Sequence, residues 1–99
     1  MLEIVPDGPS RRYVVRLDGH DQSYVDLDDP THLAFDYVRR IGDLLDVVAP
    51  AGRPIRVVHV GGAGLTLPRY VAATRPTSAQ VVLEPATEVT ERVRTELPL

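Results

Sequence analysis

The sequence contains no cysteine, no lysine and no asparagine. Without cysteine there is no disulfide framework, no thiolate zinc site and no cysteine nucleophile. The GK[ST] signature of a phosphate-binding P-loop is missing. No apolar run approaches the length of about 18 residues that a membrane helix needs. The first residues, MLEIVPDGP, hold neither the basic region nor the apolar core of a secretory signal. Positive charge is scarce: 11 basic residues stand against 14 acidic ones, for a net charge of -3. That balance argues against a nucleic-acid binder, whose mark is a basic stripe. The expectation left by these exclusions is a soluble cytoplasmic protein. All 11 basic residues are arginine, amid frequent Ala, Gly and Pro. This is how a GC-rich genome writes, and no arginine-specific function is read from it.

What is present suits one domain, or part of one: 99 residues, 43% hydrophobic and 25% charged. Residues 2–5 (LEIV), 11–17 (RRYVVRL) and 22–27 (QSYVDL) read as strands separated by the turn signals PDGPS and DGHD. They predict a small antiparallel N-terminal sheet over residues 1–30. DDPT then reads as a helix start, with Asp29 as cap and Pro30 in the first turn. Leu33, Tyr37, Val38, Ile41, Leu44, Leu45 and Val48 recur at helical spacing, predicting an amphipathic helix over 31–49 with an apolar stripe of seven residues. Gly42 weakens that helix by roughly 1 kcal/mol relative to alanine. PAGRP completes a connecting segment, 31–54.

From residue 55 the pattern changes. IRVVHV (55–60) and AQVVLE (79–84) are continuous apolar runs, as in parallel strands covered on both faces. A loop follows the first run, and Pro68 opens a helix to Thr74. PATEVTERVRTEL predicts a second helix over 85–97, with Ala86, Val89, Val93 and Leu97 on one face. The predicted fold is therefore α/β: a small N-terminal sheet and a helix, then the first β-α-β-α half of a Rossmann-like domain over 55–99.

The loop Gly61-Gly62-Ala63-Gly64 sits where such folds bind nucleotides, between a strand end and a helix start. Glu84 closes the next strand, where a carboxylate can accept ribose hydroxyls. The dinucleotide fingerprint would need glycine at position 67, which is Leu, so NAD is disfavoured. An adenosyl nucleoside without pyrophosphate suits the loop better; a plain tight strand-to-helix turn would also use these glycines. His59, inside the strand, reads as a packed or hydrogen-bonded histidine rather than a base. His20 and His32 read as solvated, and Arg39-Arg40 as a solvated helix face. Asp26, Asp28 and Asp29 lack the glycine and distal glutamate of a calcium loop, so no metal site is expected.

From Gln22 onward the chain resembles the spermidine synthase family of aminopropyltransferases, within the class I S-adenosylmethionine-dependent methyltransferase superfamily. The resemblance rests on QSYVDLDDP, the Tyr37 helix, VVHVGGAGLTLPRYV and VVLEPATEVTERVRTELPL, in that order. It implies that Gly61, Gly62 and Gly64 line the nucleoside and its amino-acid-like tail, and that Glu84 binds the ribose. Gln22 would touch the nucleoside from the N-terminal sheet, and Tyr37 would lie on the substrate side. The implied ligands are S-adenosylmethionine, its decarboxylated form or the thio-nucleoside product, with no metal. The chain also departs from the family. The loop reads Ala63-Gly64-Leu65 where a further glycine and an acid are usual, and position 39 is Arg, so the helix lacks Tyr-x-Glu. The family's adenine-binding acid and catalytic aspartate lie beyond Leu99. The expectation is thus a truncated transferase-like chain with no catalytic residue of its own, paired with a second copy or with a complementary C-terminal chain. The alternative is a non-catalytic oligomerisation or partner-binding module derived from the same fold.

Overall fold

A computed structural model describes all 99 residues. Strands β1 (Leu2–Pro6), β2 (Arg12–Leu17) and β3 (His20–Asp26) form an antiparallel sheet in that order. The turn between β2 and β3 is only Asp18-Gly19, both at positive φ (50° and 81°). These are the residue types that a two-residue hairpin with right-handed strand twist demands. The short turn starts β3 two residues before the predicted 22 and pairs Leu17 with His20.

Helix α1 spans Asp36–Val47, not 31–49. Asp26 explains the late start. Its nearly buried carboxylate accepts the N–H groups of Asp28 and Asp29 and faces His32 Nδ1 and Arg12 Nε. Asp29 does cap, but it caps a turn: its Oδ1 accepts both the N–H and the hydroxyl of Thr31. Such local side-chain bonds compete with helix. Residues 31–35 then run without helix to Phe35, the residue before α1, whose backbone is extended.

The buried line of α1 is also narrower than its sequence stripe. Val38 and Gly42 are buried, whereas Tyr37, Ile41, Leu44 and Val48 stay exposed. Gly42 has a packing reason: a Cβ there would lie 2.5 Å from Leu33 Cδ1. Leu33, Val38 and Tyr70 form a small core at this contact. The Tyr70 hydroxyl donates to Asp46 Oδ1 at 2.6 Å, and this bond lifts its pKa to about 12.

Strand β4 (Arg56–Val60) lies parallel to β5 (Ala79–Leu83), joined by helix α2 (Thr66–Thr74) and followed by α3 (Thr87–Glu96). Helix α2 begins two residues before Pro68. Proline is tolerated there because first-turn N–H groups have no helical partner. One face of the parallel pair, through Val57, His59, Gln80 and Val82, is half-buried. The other, carrying Val58, Val60, Val81 and Leu83, is exposed, contrary to the expectation of strands covered on both sides.

The main core ignores the boundary between the N-terminal sheet and the Rossmann-like segment. Leu2, Val15 and Val25 from the sheet pack with Leu65 from the loop and with Val89, Val93 and Leu97 of α3. Two buried arginines of the α2 region stitch helix ends together. Arg75, 3% exposed, donates to the carbonyls of Leu45, Asp46, Ala49, Pro50 and Arg53, closing the C-terminal end of α1. Arg69 donates to Leu97 O and Pro98 O at the end of α3 and to Gly64 O in the loop. No helix is long and apolar enough to cross a membrane.

Candidate functional site

The loop leaving β4 alternates in handedness: Gly61, Ala63 and Leu65 all have positive φ (85°, 42° and 64°). Only Gly61 adopts it without steric cost. Ala63 and Leu65 each hold a conformation that costs on the order of 1 kcal/mol or more for residues with a side chain. Such alternation turns successive N–H groups into a concave anion nest. The nest is filled by the protein itself. Glu84 Oε1 accepts Gly62 N–H at 3.0 Å and Ala63 N–H at 3.2 Å, and Oε2 accepts Ala86 N–H at 3.1 Å. The three bonds, that from Gly62 foremost, hold the Glu84 carboxyl below its ordinary pKa. A carboxylate offers about four acceptor positions, so one remains for a ligand hydroxyl.

The three glycines serve different ends. Gly61 supplies the positive φ at the strand end. A Cβ on Gly62 would stand 2.7 Å from Val82 Cγ1, so its backbone must lie against β5. A Cβ on Gly64 would stand 2.8 Å from Val25 Cγ2 and 2.9 Å from Ser23 Cβ. Gly64 therefore faces the N-terminal sheet, and its N–H donates to Ser23 Oγ at 3.0 Å.

A cleft of about 350 Å³ opens between this loop, β3 and the first turn of α1. Gln22, Tyr37, Gly61, Gly62 and Glu84 all line it, whereas Gly64 does not. Gln22 comes from β3 and Tyr37, stacked on Phe35 with centroids 6.1 Å apart, from α1. The volume lies within the range of small-molecule sites, and the position is the crevice beyond the carboxyl ends of parallel strands. His59 is held in the strand: its Nε2 meets Gln80 Oε1 at 2.7 Å, while Gln80 Nε2 donates to Pro68 O. No group of three or more His, Asp or Glu side chains is placed to hold a metal ion.

Sequence reading passed over Ser23 and Arg69, which hold the loop from either side. Nothing local marks Ser23, since its partner Gly64 lies 41 residues away. Arg69 left no local signal either, since it lies across the helix from Leu67, Tyr70 and Val71. Burial presses its pKa downward, and three carbonyl oxygens receive its fork.

The fold is thus an N-terminal antiparallel sheet joined to part of a Rossmann-like fold, with the cleft at their junction. No family model and no curated protein matches the chain. Among solved structures it is similar to a probable spermidine synthase from Corynebacterium glutamicum, with a TM-score of 0.82 and 25% sequence identity. The match covers 99% of this chain and 37% of that one, so the chain spans a little over a third of that protein's length. The chain has a spermidine synthase-like fold.

Proposed function

We propose that this chain is a spermidine synthase-like, S-adenosylmethionine-dependent-transferase-like protein whose cleft binds an adenosyl nucleoside. The ligand is S-adenosylmethionine, its decarboxylated form or the thio-nucleoside product. The observation that carries the proposal is the convergence of Gln22, Tyr37, Gly61, Gly62 and Glu84 on one cleft at the end of β4. In this reading the free acceptor position of Glu84 takes a ribose hydroxyl. Gly61 and Gly62 admit the nucleoside close to the backbone, and Gln22 and Tyr37 cover it from the N-terminal side. The filled nest favours a nucleoside over a pyrophosphate-bearing dinucleotide, because Glu84 already neutralises the N–H groups a phosphate would need.

Calorimetric titration with the three ligands tests this. Binding is expected, and Glu84→Ala is expected to weaken it by about 1–3 kcal/mol, the scale of a hydrogen bond to a charged group. Absence of binding for all three at about 1 mM, the weak limit of specific recognition, would sink the proposal. Equal affinity of the variant would remove Glu84 from the site. A second reading, a non-catalytic association module, draws support from the exposed apolar face of the β4–β5 pair.

A further inference from the structure

The cleft holds one imidazole whose tautomer the fold dictates. His59 Nε2 meets Gln80 Oε1 at 2.7 Å. That contact alone leaves the proton undecided, because a glutamine amide can turn either end toward the ring. The other end of Gln80 settles it. Gln80 Nε2 stands 3.1 Å from Pro68 O, a carbonyl that can only accept. The amide nitrogen therefore belongs at Pro68 and the amide oxygen at His59, so His59 donates through an Nε2–H. The neutral imidazole then carries its lone pair on Nδ1. The three residues come from β4, α2 and β5, so it is the packing of the β-α-β unit that sets the proton's place.

That lone pair is not spent inside the protein. His59 bonds through Nε2 alone. No buried side-chain nitrogen or oxygen in the chain lacks a partner, and His59 is half-buried. An unpartnered Nδ1 therefore reaches open space, and the open space that His59 lines is the cleft. The neighbouring acceptors are already in use. Glu84 holds three N–H groups, and Ser23 Oγ accepts from Gly64 N–H. His32 supplies the contrast. Its Nδ1 lies 2.9 Å from Asp26 Oδ2, and a carboxylate only accepts, so its proton sits on Nδ1 and its lone pair on Nε2. Two histidines of one chain are thus fixed in opposite tautomers.

We infer that His59 is a specificity residue of the cleft, whose Nδ1 accepts a hydrogen bond from an amino group of the bound nucleoside. The inference rests on the nucleoside reading of the cleft. In that reading Glu84 serves the ribose, so the donors left on the ligand are the 6-amino group of adenine and the amino group of the tail. Either can meet the lone pair. A ligand without the matching amino group displaces the water at Nδ1 and returns no hydrogen bond, which is how a polar site rejects an analogue that lacks a donor. With Nε2 on Gln80 and Nδ1 given to the ligand, neither nitrogen is left to take a proton from an acceptor amine.

Nitrogen-15 NMR of the labelled full chain tests the tautomer without any ligand. Above the ordinary titration range of histidine, His59 is expected as the Nε2–H form and His32 as the Nδ1–H form, with exposed His20 as the unconstrained reference. Gln80→Leu is expected to move the His59 signals toward those of His20. An Nδ1–H signal from His59 in the parent overturns the inference. Calorimetry then compares the parent with His59→Gln, which keeps an N–H for Gln80 and removes the acceptor at the δ position. The ligands are decarboxylated S-adenosylmethionine, with both amino groups, methylthioadenosine, with the adenine amino group alone, and the matching methylthio purine riboside, with neither. The variant is expected to bind the first about tenfold more weakly, one ordinary hydrogen bond on the affinity scale, and the last as the parent does. Methylthioadenosine identifies the donor: a similar loss assigns the adenine amino group, and no loss assigns the tail. Equal losses for all the ligands, or no loss for any, overturn the inference and leave the nucleoside reading standing. Failure of every ligand to bind the parent overturns the nucleoside reading and this inference with it.

Discussion

Three backbone N–H groups converge on the Glu84 carboxylate, from Gly62, Ala63 and Ala86. They ask for the charged form, and they join the end of β5 to the loop that leaves β4. The consequence for stability has a definite sign. The folded pKa lies below the ordinary 4.5, so the unfolded chain binds the proton more tightly. The stabilisation is complete above pH 4.5 and is lost as pH falls from there through the folded value. Glu84→Gln is therefore expected to lower stability at neutral pH by about 1 kcal/mol, after allowance for partial solvent exposure. Its stability is expected to fall less steeply than the parent's below pH 4.5. Denaturant titrations at a series of pH values check both points; parallel acid profiles for the two proteins would show that the three bonds carry no linkage.

At the scale of elements, the ends of helices decide most of the architecture. Helix α1 lacks a basic residue in its last turn, and its terminal carbonyls are met by Arg75 from beyond α2. Only a planar fork with five donors can serve carbonyls from Leu45 to Arg53 at once. Arg75→Lys keeps the charge and loses the fork. A loss of about 2 kcal/mol or more is expected in urea unfolding, since buried carbonyls are left without donors; a change under 0.5 kcal/mol, the ordinary surface scale, would assign those carbonyls to water. The loop obeys a similar logic at Gly64, where the N-terminal sheet touches it. Gly64→Ala drives a methyl group into Val25 and Ser23. A cost of about 1–3 kcal/mol is expected, in the range of overpacked cores. Nucleoside affinity should fall with it, because the same shift displaces Gly62 from Glu84. An alanine variant with parent stability and affinity would mean that the sheet and loop are free to separate.

For the whole molecule, the shared core binds the N-terminal sheet to the Rossmann-like segment through Leu65 and α3. The cleft lies at that junction, and its carboxylate and its imidazole are both already engaged. Glu84 is tied to three N–H groups, and His59 is tied to Gln80. Aminopropyl transfer needs a group to take a proton from the attacking amine. The 99-residue chain is therefore expected to bind ligand without turning it over. Assays with decarboxylated S-adenosylmethionine and putrescine, and with S-adenosylmethionine and a methyl acceptor, check this; product formation by the purified chain would refute it.

The sequence by itself determined the element order, the parallel β4–β5 pair and the glycine loop with Glu84 in register. These follow from periodicity and from residues whose backbone preferences are local, such as Asp18-Gly19 and Gly61. Tertiary structure alone decided where α1 begins, because the Asp26 carboxylate gathers the turn that propensity would have made helical. It alone gave Gly42 and Gly64 their packing roles and Arg69 and Arg75 their carbonyl partners, all set by residues distant in the chain. It also decided which apolar stripes are buried. A run such as Val57–Val60 reads as covered on both faces, but only the packed chain shows that Val57 and His59 are half-buried while Val58 and Val60 are exposed.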